Sequence, residues 1–203
     1  MSLLRYIAAN WDTLGPQVRT HLQIVALSMA VAARSPRFAG VAVAVTGAIL
    51  TIPSFALFGV LAIWLGIGNR PVEIGLILYA LLPILRNTMV GIQRVDPAVV
   101  EAAQGMGMGP LQVLLSVELP LAVPVIVAGL RQSTVMVVAI ATVGAAVGAN
   151  DLGQPIFAGL RGSDRAAILS GVLPVAGIGL LADVLLGAAQ RLLSRGRLEA
   201  GAP

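Results

Sequence analysis

Four long stretches of this chain, at about 39–66, 72–90, 119–147 and 166–189, carry almost no charge. That pattern limits the fold more than any other feature. A helix rises 1.5 Å per residue, so about 20 apolar residues cross the roughly 30 Å hydrocarbon layer of a bilayer. Runs of this length and character have no reason to sit in water. The composition agrees: 58% of the residues are apolar, 11% are charged, and the mean hydropathy is +0.94. Together these values predict an all-α integral membrane protein.

A fifth span is expected near the N-terminus. Only LQIVALSMAVAA separates His21 from Arg34, and Gln23 is among those residues. As helix the stretch reaches about 18 Å, too short to cross alone. Residues 18–33 therefore read as a short span with Arg19 snorkelling, or as a re-entrant or peripheral helix. A segment 1–17 precedes it; Met1 to Pro16 includes Trp11, Asp12 and Gly15 and does not read as a secretory signal. Residues 193–203 read as a basic tail that frays after Leu198.

Each long span contains a proline: Pro53, Pro83, Pro124 and Pro174. Proline removes a backbone donor and kinks a helix, and in lipid the freed carbonyl needs another partner. These residues read as packing kinks. Pro53 also reads as a bend in a helix that lines a pathway, with Phe55 and Phe58 just beyond it. Inside the spans, Arg131 and Asp183 stand out, because charge within a membrane is costly and often functional. They read equally as an ion pair and as vestibule lining. Arg86 and Asn87 read as snorkelling near a helix end.

What is missing excludes several chemistries. All 13 basic residues are Arg. A phosphate-cradling P-loop needs a Lys, so this chain holds no standard one. There is no Cys, and the one His, His21, cannot build a histidine-rich metal site. The net charge of +4 is small and scattered, which suits anionic lipid headgroups better than nucleic acid.

The segment 95–120, VDPAVVEAAQGMGMGPLQVLLSVELP, is different in kind. Asp96-Pro97 reads as a helix start, with Asp as cap and Pro at the first helical position. Gly105, Gly107 and Gly109 weaken that helix, and Gly109-Pro110 ends it. A second helix is expected from Pro110 to Pro120. The module is too polar and broken to span lipid, yet too apolar for a solvated linker. It packs on its own bundle or fills a partner's groove. With the segment on the cytoplasmic face, Arg34, Arg37, Arg94, Arg191, Arg195 and Arg197 share that face. Arg5, Arg19, Arg70, Arg161 and Arg165 lie opposite, a slight bias in the expected direction. The stretches 67–71 and 148–165 then read as loops on that opposite face.

Glu101, Ala102, Ala103, then three residues, Gly107, nine residues, Val117, and Leu119-Pro120 resemble the EAA loop of binding-protein-dependent ABC importer permeases. Val117 replaces the family's Ile. LTIPSFALFGVLAIWLGIGNRP, LYALLPILRNTMVGI and VELPLAVPVIVAGLRQST are similar to the osmoprotectant permeases, which import glycine betaine, choline or carnitine. The similarity runs from about Arg34 to Arg191. The chain departs from the pattern in its short region before Arg34 and at Asn150-Asp151, where relatives tend to carry Gly-Gly.

The resemblance implies a type-1 (MetI-like) bundle of about five transmembrane helices, a permease domain over 18–192, and a cytoplasmic coupling helix. It implies a permease subunit rather than an enzyme, in a bacterial or archaeal cell membrane. ATP and Mg belong to a separate ATPase, and no cofactor is expected on this chain. The implied partners are that ATPase, a second permease copy or sister permease, and an external substrate-binding protein. Glu101, Ala102, Ala103, Gly105, Gly107, Leu119 and Pro120 are the expected coupling residues. The expected pathway residues are Pro53, Phe55, Phe58, Arg131 and Asp183. A methionine-like amino-acid importer is the alternative, and a gradient-driven transporter or channel a more remote one.

Overall fold

The computed structural model describes residues 36–198, and every regular element among them is helical. The expected span at 18–33, the segment 1–17 and residues 199–203 lie outside the described residues. The order is α1 Pro36–Thr51, α2 Ser54–Leu65, α3 Asn69–Gln93, α4 Pro97–Gly105, α5 Pro110–Val113, α6 Leu119–Ala141, α7 Gly153–Gly162 and α8 Arg165–Leu198. A π turn, Leu114–Glu118, joins α5 to α6, and a 3₁₀ turn, Thr142–Val147, follows α6. Among the described residues, three helical stretches are long and apolar enough to cross a bilayer: Asn69–Gln93, Pro110–Val147 and Arg165–Ser194.

The expected single span at 39–66 is instead a broken pair. Gly40–Thr51 and Ser54–Leu65 meet at 97°. Pro53 is the reason. It cannot donate to the preceding turn, and it disfavours helical geometry at Ile52. Pro53 is extended, with φ −57° and ψ 135°. The break leaves the Ile52 carbonyl without a helical partner. Tyr79, buried on α3, donates its hydroxyl to that oxygen at 2.5 Å. A phenol is suited to this: its ring fills the core while its one polar atom is spent on the break. Tyr79→Phe is expected to lower stability by about 0.5–1.5 kcal/mol, the net worth of one hydrogen bond to a part-buried acceptor. Thermal unfolding in detergent, compared with a Phe58→Leu packing control, reads that loss.

Tyr79, Phe58, Leu57, Val72 and Ala149 form one buried cluster. Gly75 makes it possible, since a Cβ there would lie 2.5 Å from the Phe58 ring. The same end of the bundle is tied by turns. Gly68 N–H donates to Val147 O at 3.1 Å, and Asn150 N–H donates to Asn69 Oδ1 at 2.8 Å.

Between that cluster and the 95–120 loop, α3 packs on α6 through small residues. A Cβ on Gly91 would lie 3.1 Å from Ala122, and one on Gly129 would lie 2.6 Å from Asn87. Close approach of this kind is how helices associate in lipid, where apolar surface alone gives no drive. α8 packs on α6 and α7. Its most apolar stretch is only 6% buried within the chain, so most of this helix faces outward.

Two further expectations change. The region 148–165 reads as a loop in sequence, but it contains α7. Asp151 caps it, accepting from Gly153 N–H at 2.7 Å. Asp164 in turn starts α8, accepting from Ala166 N–H at 2.9 Å. Burial pushes the Asp151 carboxyl above the usual carboxylate range, opposed by the Gly153 and Ala145 amides. Its Oδ2 is buried and closes no hydrogen bond among the described residues. The second helix of the loop also does not end at Pro120. Pro120 offers no N–H to Ser116 O, and the chain answers with a π turn just ahead of it. Leu119 N–H reaches back to Leu114 O, and the helix runs on into α6.

Candidate coupling loop and intramembrane polar face

The 95–120 segment folds as a capped helix, a tight turn and a re-entry. Asp96 Oδ1 accepts from Ala98 N–H at 2.9 Å, with Pro97 at the first helical position. At the far end, Gly107 N–H donates to Gln104 O at 2.9 Å and Met108 N–H donates to Ala103 O at 3.2 Å. This pair of bonds is a Schellman cap, which needs a left-handed residue at its centre. Gly107 supplies it, with φ +86°. Gly105 and Gly109 have ordinary φ, and a Cβ on either would meet nothing within 4 Å. Of the three glycines only Gly107 is demanded by the backbone.

The side chains divide into two faces. Ala103 is buried at 2% exposure, and α4 packs on α5 and the π turn. Glu101, Ala102 and Gly105 are exposed, Leu119 is half-buried and Pro120 is exposed. Around them stand uncovered apolar side chains: Met106 at 73%, Leu111 at 68%, Leu115 at 54% and Val99 at 42%. A polar-flanked apolar surface on a short projecting helix has the makeup of a docking element.

A second arrangement lies within the spans. Arg131 on α6 and Asp183 on α8 form a two-point pair, Nε to Oδ1 at 2.5 Å and Nη2 to Oδ2 at 2.6 Å. Gly187 makes room for it, since a Cβ there would lie 3.1 Å from Arg131 Nη1. Both side chains remain about a third exposed. They line a groove of about 540 Å³ with Gln132, Met136 and Gln190. A neighbouring groove of about 320 Å³ shares Gln132 and Met136 and is bordered by Arg86, Asn87 and Leu50. Charge open to hydrocarbon is expensive, so this face suits water or protein better than lipid tails.

The other sequence-derived pathway residues are not gathered there. Pro53 forms the α1–α2 break, Phe55 is exposed on α2, and Phe58 is fully buried in the core cluster. None of them borders either groove. Sequence reasoning missed Gln132, Gln190 and Gly187. A period of about four residues links Asp183, Gly187 and Gln190 on one side of α8, and Arg131 with Gln132 marks the facing strip of α6. That polar stripe was the available signal.

Residues 24–198 match the family described as the binding-protein-dependent transport system inner membrane component. The chain belongs to this family. It is 43% identical over 173 residues to the carnitine transport permease protein OpuCD of Listeria monocytogenes, covering 84% of this chain and 78% of that protein. It is 44% identical over 163 residues to the glycine betaine/carnitine/choline transport system permease protein OpuCD of Bacillus subtilis, covering 80% and 71%. The osmoprotectant import permease protein OsmW of Salmonella typhimurium is 35% identical over 210 residues, covering 96% and 98%. Among solved structures, a chain from the inward-facing conformations of the MetNI methionine ABC transporter superposes with a TM-score of 0.67. That match covers 95% of this chain and 99% of the other at 19% identity, a likeness of fold. This family member therefore has the type-1 permease fold and is a multi-pass inner-membrane transport component.

Proposed function

We propose that this chain is the membrane-spanning subunit of an ATP-driven importer for compatible solutes such as glycine betaine, carnitine or choline. The α4–α5 loop is its coupling element. The carrying observation is that loop: a capped helix and turn that leave Glu101, Met106 and Leu111 exposed, on a chain without a P-loop lysine. The names of the relatives support the solute class. The methionine transporter shares the fold only, and family membership favours an ATP-driven subunit over a gradient-driven carrier or channel.

The mechanism is a bundle with two arrangements, biased by partners. A separate ATPase binds ATP with Mg, and its closure carries the docked α4 with it. Because the π turn makes α5 continuous with α6, force on the loop passes directly into α6. α3 and α8 pack on α6, so they move with it. The Arg131–Asp183 face then opens to a binding protein that delivers the solute. A second permease copy or sister permease provides the other docking loop, since two ATPases close on each other.

The chain has no Cys, which makes the test direct. Met106→Cys is the sole thiol of its variant. It is expected to react with impermeant maleimide only from the cytoplasmic side and to crosslink to the co-purified ATPase. Labelling from outside, or crosslinks that never include an ATPase, sinks the reading.

A further inference from the structure

We propose that the groove between α3 and α6 is a subsite for the carboxylate of a small zwitterionic solute, read by Arg86. This rests on the compatible-solute reading above. Arg131 is neutralised by Asp183, but Arg86 has no ion-pair or hydrogen-bond partner among the described residues. It is exposed within α3, next to Asn87, whose backbone level is fixed by its packing against Gly129 on α6. An arginine that only snorkels leaves its helix for the headgroups. This one borders a groove of about 320 Å³ instead, at the small end of ligand-pocket volumes.

The walls are chemically divided. Arg86, Asn87 and Gln132 are polar, whereas Leu50, Val90 and Met136 are apolar. The Asn87 amide is held in place by donating to Pro83 O at 2.8 Å. A free guanidinium recognises a carboxylate through two parallel N–H bonds, strengthened where water is scarce. The apolar wall with its polarisable methionine suits methyl groups on a quaternary nitrogen. Gln132 and Met136 also border the Arg131–Asp183 groove, so the two compartments are contiguous. A solute with a carboxylate gains from Arg86; a purely cationic one is repelled by it. The subsite therefore discriminates glycine betaine from choline after the binding protein has released them.

An anionic lipid headgroup offers the same oxygen chemistry, so the test separates the two. The complete importer, with its ATPase and binding protein, is reconstituted in vesicles of zwitterionic lipid alone and of zwitterionic lipid with phosphatidylglycerol. ATP-driven uptake of labelled glycine betaine and choline is measured for wild type, Arg86→Gln and Arg86→Lys. The binding protein is the same throughout, so a change in the ratio of the two solutes reports the permease. Arg86→Gln is expected to cut the betaine-to-choline ratio about tenfold in both vesicle types, the scale of one charge-assisted hydrogen bond, with Arg86→Lys recovering part of it. An unchanged ratio overturns the subsite, including the case where both uptakes fall together. So does a drop confined to vesicles with phosphatidylglycerol, which assigns Arg86 to lipid. If wild type carries betaine and excludes choline, betaine uptake must fall about tenfold in Arg86→Gln and recover in Arg86→Lys, or the subsite is overturned. Wild type that carries neither solute defeats the compatible-solute reading itself.

Discussion

Asp183→Asn is expected to lower the thermal midpoint of the detergent-solubilised protein by several degrees and to reduce the amount inserted in the membrane. The variant keeps the shape of α8 but strips Arg131 of its only ion-pair partner among the described residues. The guanidinium is then left in a groove where, among the described residues, no second carboxylate lines the wall. Removing one member leaves a lone charge, whereas removing both leaves none, so the single change is the more damaging one, by an amount that solvent access to a pair about a third exposed reduces. Arg131→Gln combined with Asp183→Asn is therefore expected to recover most of the lost stability. Uptake by that neutral double variant then separates two roles. A structural brace restores transport along with the midpoint. A pathway element restores the midpoint and leaves transport impaired. If the single and double variants melt alike, the pair does not hold α8 to α6, and the coupling route through these helices loses its tie.

Much of this architecture is legible from residue types alone. The spans follow from length and lack of charge, and Asp96-Pro97 announces the start of α4 by a rule that needs no tertiary context. Gly107 is identified through its place in the EAA pattern. The structure adds the physical reason, a left-handed cap centre, that spacing does not reveal. What sequence does not show is set by contacts far along the chain. Whether a proline kinks a span or breaks it depends on whether the freed carbonyl finds a donor. At Pro53 that donor is Tyr79, 27 residues beyond Ile52. Pro120 meets a different fate, because the chain ahead of it widens into a π turn and the helix continues. Neither outcome is written in the local sequence.

The polar face shows the same limit. Arg131 and Asp183 are visible as charges within apolar runs, and the structure brings them together across 52 positions. Arg86 reads as an interfacial residue because it lies toward the end of α3. The role proposed for it depends on Gly129, which lets α3 approach α6, and on Asn87 and Gln132 bordering the same groove. α7 escapes sequence reading although Asp151 is an ordinary cap residue. Its surroundings, from Gly148 to Gly153, read more strongly as a turn than as the entrance to a helix.

Gly107→Val is expected to abolish ATP-driven uptake while leaving membrane insertion near the wild-type level. Gly107 holds φ +86°, in the left-handed region. An L-residue there costs at least about 1–2 kcal/mol, and β-branching adds to it. The short α4 has little with which to oppose that strain, so the cap gives way before the spans do. With it go the bonds from Gly107 to Gln104 and from Met108 to Ala103, and α4 no longer leaves the turn at a fixed angle. Glu101 and Met106 are then presented in a range of directions, and force from the ATPase is lost in the loop. Gly105→Ala is the companion variant. Its φ is ordinary and nothing lies within 4 Å of the added methyl, so the turn survives and α4 gains helix propensity. Any loss of uptake in Gly105→Ala belongs to the docking surface, not to the turn. Normal uptake by Gly107→Val, with the protein inserted and the ATPase bound, means that the angle of α4 carries no force and that α6 is driven by some other contact.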